Sequence, residues 1–276
     1  MPIDVDRLMN VALELAGLEE IPGDSAMYRP GTGIQRILIG IDIRSAELQL
    51  AKNLGFDAAI SHHPIGGDAT LHFHEVLWRH VDQMMAAGVP EDVARGIMAP
   101  TVESRRVLNS MANYDHDVSV ARLIDLPFLN IHTPLDEIGR MRMAEVADSM
   151  PEGATVGNLK TALRMHYGEF RNAKTEIEVL VGRAENELGR VVVSHAAGTN
   201  GGYAVAKAYF EHGIDTVVYI HCRPDDARQL RDEFGESKNL VVTGHIASDS
   251  LGINPYIDAL REMDLEVTPI SGIIPA

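Results

Sequence analysis

Short apolar, β-branched runs alternate along this chain with longer stretches in which apolar residues recur every three or four positions. Arg36–Asp42 (RILIGID), Ala58–Ser61, Phe128–Ile131, Ile177–Val181, Val191–Ser194, Thr216–Ile220 and Leu240–Thr243 predict strands. Between them, Arg44–Leu54, Glu75–Ala87, Glu91–Asn113, Met141–Met150, Tyr203–His212, Asp225–Phe234 and Pro255–Met263 predict helices. The opening MPIDVDRLMNVALELAGL carries acids and a 3.6-residue apolar rhythm, which predicts an amphipathic helix and not a secretory signal. The alternation predicts an α/β fold with parallel or mixed sheets covered by helices.

Two segments look like versions of one unit. ILIGIDIRSAELQLAKNLGFDAAISHH and VVVSHAAGTNGGYAVAKAYFEHGIDTVVYIH each run strand, helix, Gly-x-Asp, strand, histidine, with Gly55 and Gly213 equally spaced from His63 and His221. An internal duplication accounts for the match, and so does the common shape of any two β-α-β units. The segment Met150–Leu163 (MPEGATVG and on) is the expected junction between two lobes, 1–149 plus 239–276 and 150–238.

Composition narrows the chemistry. The chain has 276 residues, 40 acidic and 24 basic side chains and a formal charge of −16. That acidity argues against sequence-independent nucleic-acid binding as the main task. No apolar run approaches the ~20 residues a membrane-spanning helix needs, and the expected location is the cytoplasm. Twelve histidines accompany a single cysteine, Cys222, so any metal site is built from nitrogen and oxygen donors.

His62, His63, His132, His195, His221 and His245 all fall at the carboxyl ends of predicted strands, the edge where α/β sheets bind ligands. One strand-end histidine is usually structural, but here acids follow closely. Ser61-His62-His63-Pro64, His132-Thr133-Pro134-Leu135-Asp136 and Gly244-His245-Ile246-Ala247-Ser248-Asp249 supply imidazole and carboxylate together. Such donors suit zinc, iron, manganese or cobalt. Neighbours in an extended segment point to opposite sides, so His62 and His63 are expected to serve two neighbouring ions and not to chelate one. A helix opening at Gly244 would put His245 and Asp249 on one face, and Asp136 would bind directly or bridge. Two ions sharing a carboxylate or water about 3.5–4 Å apart are a common hydrolytic arrangement.

These segments resemble the dinuclear metal-centre proteins known as Nif-three-like, or GTP cyclohydrolase I type 2, whose pattern is His-His-Pro, then His-Thr-Asn-Leu-Asp, then Gly-His-Tyr-Ala-Thr-Glu. Here they read SHHP at 61–64, HTPLD at 132–136 and GHIASD at 244–249. The resemblance implies a two-lobed α/β fold and two divalent metal ions held by His62, His63, Asp136, His245 and Asp249. It also implies a homohexamer built from dimers. It places His132 beside the metals, as a wall or general acid/base group. Three departures mark a divergent branch. Asp249 stands for Glu, a reach about an ångström shorter; Pro134 stands for Asn; and Tyr219-Ile220-His221 replaces a Thr-Gly-Glu/Asp.

Other motifs carry less. His72 and His74, beside Asp68 and Glu75, read as partly solvated residues at a helix start, with orientation of metal ligands the alternative. The turn Gly198-Thr199-Asn200-Gly201-Gly202 lacks a Walker lysine and reads as a tight turn more than a phosphate cradle. Asp115-His116-Asp117 reads as a solvated loop or helix cap. Cys222 beside His221 does not form a nucleophile–base pair, since chain neighbours rarely align. The expected function is metal-activated hydrolysis of a nucleotide or purine-like small molecule. The alternative is a non-catalytic metal-binding ring or scaffold that recognises a protein or nucleic-acid partner.

Overall fold

A computed structural model describes residues 3–276. The first part of the chain runs β1 (Ile3–Asp4), α1 (Val5–Ala16), β2 (Ala26–Arg29), β3 (Thr32–Ile34), β4 (Arg36–Gly40), α2 (Ser45–Asn53) and β5 (Ala58–Ser61). Next come α3 (Gly67–Leu71), α4 (Phe73–Val76), α5 (Arg79–Ala86), α6 (Glu91–Ser110), α7 (His116–Leu123), β6 (Phe128–Asn130) and α8 (Thr133–Asp148). The remainder is α9 (Val156–His166), α10 (Gly168–Asn172), β7 (Glu178–Val181), β8 (Val191–Val193), α11 (Gly202–Glu211), β9 (Thr216–Tyr219), α12 (Pro224–Phe234), β10 (Asn239–Val242), α13 (His245–Glu262) and β11 (Glu266–Ile270). The chain divides into two compact units: Met1–Val76, Val102–Ile138 and Gly252–Ile273 form the first, and Leu77–Thr101, Gly139–Leu251 and Ile274–Ala276 the second. Among the described residues no helix is long and apolar enough to cross a membrane.

The first unit is built on a five-stranded sheet of order β11-β4-β5-β6-β2, in which β11, β4, β5 and β6 are parallel and β2 is antiparallel. Its inner strands β4, β5 and β6 are buried because helices cover them, so they read as continuous apolar runs. Val5, Leu8, Met9 and Ala12 of α1 pack into the same core as Ile37, Ile39 and Ile60. The Asp4 carboxylate caps α1 by accepting from the Arg7 N–H at 2.8 Å, and Gly17 closes it in the left-handed conformation.

The second unit carries a four-stranded sheet of order β7-β10-β9-β8, with β8, β9 and β10 parallel and β7 antiparallel to β10. The two sheets therefore share one plan. A strand early in each unit (β2, β7) lies antiparallel beside the last of three adjacent parallel strands (β4-β5-β6, β8-β9-β10). The likeness extends to side chains. Asp57 Oδ2 accepts the Arg36 N–H at 2.8 Å, and Arg36 Nη1 donates to the Gly55 carbonyl at 2.9 Å. Asp215 Oδ2 likewise accepts the Arg190 N–H at 3.0 Å, and Arg190 Nη1 donates to the Gly213 carbonyl at 3.4 Å. Such agreement in connectivity, strand order and a three-residue tie goes beyond what two β-α-β units share by chance, and favours duplication.

Several elements depart from the sequence expectation for identifiable reasons. The stretch 75–87 is two helices, α4 and α5, and the break coincides with the boundary between units after Val76. Helix α8 starts at Thr133, not Met141, because Pro134 sits in the first turn, where its missing N–H has no intrahelical partner anyway. Helix α13 starts at His245 and contains Pro255. The carbonyl four residues earlier, Leu251, loses its helical donor to that proline and accepts from Arg142 Nη1 at 2.7 Å instead. The expected junction holds α9, whose Thr155 hydroxyl and Asn158 side chain form a capping box. Strand β11 contains Pro269 and lies at the sheet edge, where a missing ladder donor is tolerated.

Candidate metal centre

In the first unit His62 and His63 follow directly on β5, His132 follows β6, and Asp136 lies in the first turn of α8. The His62, His63 and His132 rings bring ligand atoms within 4.8 Å of one another. The expectation that His62 and His63 point to opposite sides does not hold. Strand β5 ends at Ser61, the two histidines occupy a bend, and their ring centroids are 5.1 Å apart. The His62 and His132 centroids are 4.9 Å apart.

Each ring is held by its Nδ1. His62 Nδ1 lies 3.0 Å from the Ile131 carbonyl, His63 Nδ1 3.0 Å from Asp42 Oδ1, and His132 Nδ1 2.7 Å from Asp24 Oδ2. A carbonyl and two carboxylates can only accept, so each Nδ1 carries a proton and, in the neutral ring, Nε2 is left as the acceptor. That is the tautomer in which imidazole binds a divalent cation, with the outer partner fixing the ring. Asp136 completes the group: Oδ1 is 3.2 Å from His62 Nε2 and Oδ2 is 3.7 Å from His132 Nε2. His62 and Asp136 are both buried, and two acceptors this close repel unless a positive charge lies between them. A metal ion or an added proton is what the arrangement fits.

Asp24 and Asp42 are not among the residues the sequence nominates. Asp24 is fully buried in the loop between α1 and β2, and accepts from the Thr133 hydroxyl at 2.7 Å as well as from His132. It thus fixes the histidine and the start of α8 at once. Asp42 follows β4 at the same carboxyl edge as the histidines, so strand-end position is the available clue.

In the second unit His195, His221 and His245 follow β8, β9 and β10. Helix α13 opens at His245, and His245 Nε2 lies 3.4 Å from Asp249 Oδ2 one turn on. Asp249 is buried while His245 is partly exposed. His221 packs edge-on to His245, centroids 4.7 Å apart, and its ring receives the Asn200 side-chain amide, 3.1 Å from each nitrogen. Asn200 is oriented by its own Oδ1, which accepts the Ile220 N–H at 3.0 Å.

The loop from β8 to α11 is clamped by one face of α5. Arg79 Nε donates to the Ala196 carbonyl at 2.7 Å, Gln83 Nε2 to the His195 carbonyl at 2.6 Å, and His80 Nε2 meets Thr199 Oγ1 at 3.2 Å. Ala196 is held at φ +60°, a region costly for any residue with a Cβ. Gly201 sits at φ +79° where a Cβ would come 2.4 Å from Val205, so the glycines serve a tight turn, as expected. Burial pushes the His80 imidazole down to about 4, so it is neutral at pH 7.

The remaining candidates resolve simply. His72 pairs with Glu75 at 2.9 Å and His74 Nδ1 meets the Leu71 carbonyl at 3.1 Å, so both make local contacts. Asp117 is not solvated: it is buried and accepts from the Ser45 N–H at 2.9 Å and hydroxyl at 2.6 Å, tying α7 to the first turn of α2. Burial, reinforced by Asp226, pushes the Cys222 thiol up to about 11, and it stays protonated at neutral pH.

No protein-family model matches the chain, and no curated protein matches it. Among solved structures, the NIF3 superfamily protein from Sphaerobacter thermophilus is 47% identical, with a TM-score of 0.94 over 99% of this chain and 100% of that one. Reduced HcgD from Methanocaldococcus jannaschii superposes with a TM-score of 0.59 at 13% identity, over 98% of each chain. TTHA1606 from Thermus thermophilus gives 0.52 at 13% identity, over 99% of each chain. These last two speak to the fold alone; the first, at nearly half identity end to end, shows that the chain belongs to the NIF3 superfamily.

Proposed function

We propose that the protein is a dinuclear metal-dependent hydrolase acting on a nucleotide or purine-like small molecule, of the GTP cyclohydrolase I type 2 kind. His62, His63, Asp136, His245 and Asp249 are its metal ligands, and His132 moves protons. The ions are zinc, iron, manganese or cobalt, and the working form is a cytoplasmic homohexamer, as the family resemblance implies. The observation that carries the reading is the shared anchoring of His62, His63 and His132, each Nδ1 spent on an acceptor, with Nε2 of His62 and of His132 facing Asp136. A bound metal ion would supply a water acidic enough to yield hydroxide near neutral pH. The buried Asp24 carboxylate holds His132 through Nδ1, as a carboxylate does for a base histidine.

The test is metal analysis of the purified protein, followed by a hydrolysis screen of nucleotides and purines with and without chelator. The reading expects bound metal, chelator-sensitive turnover, and loss of turnover in His63→Ala and Asp249→Ala with the fold intact. Metal retained with no turnover on any of these substrates would favour a scaffold role.

A further inference from the structure

Arg105, on the part of α6 that belongs to the first unit, differs from the arginines around it. Arg95 pairs with Glu91, Arg106 with Glu103 and Arg122 with Asp115, all at 2.7 Å or less. Arg105 has no carboxylate partner among the described residues, in a chain with 40 acids against 24 bases. The acids two positions along the chain from Arg105 and from Phe73, Glu103 and Glu75, are already engaged. Glu103 receives both Nε and Nη2 of Arg106, at 3.0 and 2.7 Å, and Glu75 is taken by His72. What Arg105 has instead is an aromatic face, its guanidinium carbon lying 5.4 Å from the Phe73 ring centroid. Phe73 in turn packs on His132, with centroids 6.1 Å apart and planes at 33°. Arg105 and Phe73 are each partly buried.

A guanidinium laid on an aromatic ring is oriented but not neutralised, and its planar fork of donors still matches the oxygens of a phosphoryl group. The ring that orients it touches the histidine of the candidate centre. We propose that Arg105 is an anion-binding residue that takes a phosphoryl group of the substrate handled at His132, and that Phe73 is the residue positioning it. This rests on reading the histidine cluster as the working site. It narrows the substrate class to compounds carrying a phosphate at a distance from the reacting atoms.

The experiment is calorimetric titration of the protein as purified with inorganic phosphate at low ionic strength, where screening is weakest, together with metal analysis of each variant. Arg105→Met is expected to weaken phosphate binding at least about tenfold, and Arg105→Lys by less, since the charge survives and the fork does not. Phe73→Leu is expected to weaken it about two- to fivefold with the charge intact. Glu103→Gln, which alters the neighbouring pair only, serves as the control for charge alone. Metal content should be unchanged in all four, so a protein without metal would break the hydrolase reading separately. Absence of phosphate binding by the parent protein, or equal binding by Arg105→Met, overturns the proposal. Equal binding by Phe73→Leu removes the positioning role.

Discussion

The two units use one plan but differ in what lies behind the histidine that follows the second parallel strand. Both place a His-x-x-x-Asp turn at the head of the helix that follows the third parallel strand: His132 and Asp136 on β6–α8, His245 and Asp249 on β10–α13. Both also place histidine after the second strand, His62 and His63 after β5, His221 after β9. In the first unit the ring partners are acceptors, which take the Nδ1 proton and keep Nε2 an acceptor. In the second, the Asn200 side-chain amide nitrogen, which can only donate, lies 3.1 Å from both ring nitrogens of His221, of which only the unprotonated one can accept. Equivalent scaffold positions thus carry different outer partners, acceptors behind His62 and His63 and a donor beside His221. Strand-end position nominates a histidine; the group behind it selects it.

The sharpest way to break this contrast is to remove the shared carboxylate. Asp136→Ala should lower metal affinity by more than the ~100-fold typical of losing an outer partner, read by competition with a chelating dye, and turnover should fall with it. An unchanged affinity would remove Asp136 from the ligand set. The next largest effect should come from the outer partners. Asp24→Asn should cost roughly 10–100-fold in metal affinity, while Asn200→Ala in the second unit should leave it within about twofold. Equal losses from the two would dissolve the distinction between acceptor and donor anchors.

His80 sharpens the contrast through pH. Its folded pKa is depressed to about 4 by burial, so the unfolded chain binds its proton more readily. The stability this residue preserves is therefore full above about pH 6.5 and is lost as pH falls from there toward 4. The loss amounts to up to about 3 kcal/mol. Urea denaturation at pH 7 and pH 4.5 should show a steeper acid loss in the parent protein than in His80→Leu; parallel losses would contradict the assignment. The smallest effect concerns the duplicated tie. Asp57→Ala and Asp215→Ala should each destabilise by about 1–2 kcal/mol, the cost of leaving a strand-end N–H without its acceptor. Denaturation midpoints that differ widely between the two would argue that the ties are not equivalent.

Much of this is readable along the chain, and the failures have a common cause. The parallel strands are continuous apolar runs, and Gly55 and Gly213 punctuate them at matching places, so sheet class and repeated unit are visible. The helix at His245 follows from the spacing to Asp249, yet its passage through Pro255 does not, because the compensating donor, Arg142, is 109 residues from the carbonyl it meets. The same holds for Asp24, whose contact with His132 spans 108 positions and leaves no local trace. Periodicity reports which way a side chain faces, not which distant group meets it. The opposite-sides expectation for His62 and His63 fails because strand alternation stops with β5, one residue before them.

The central claim, that Nε2 atoms of anchored histidines hold metal beside Asp136, is tested most directly by anomalous diffraction from crystals of the protein as purified. The account predicts a peak within ~2.0–2.2 Å of His62 Nε2 and of an Asp136 oxygen, the bonding distance for such donors, with the Nδ1 contacts to Ile131, Asp42 and Asp24 preserved. No peak in that cluster after incubation with zinc, iron, manganese or cobalt, or a metal bound through Nδ1 instead, would contradict it.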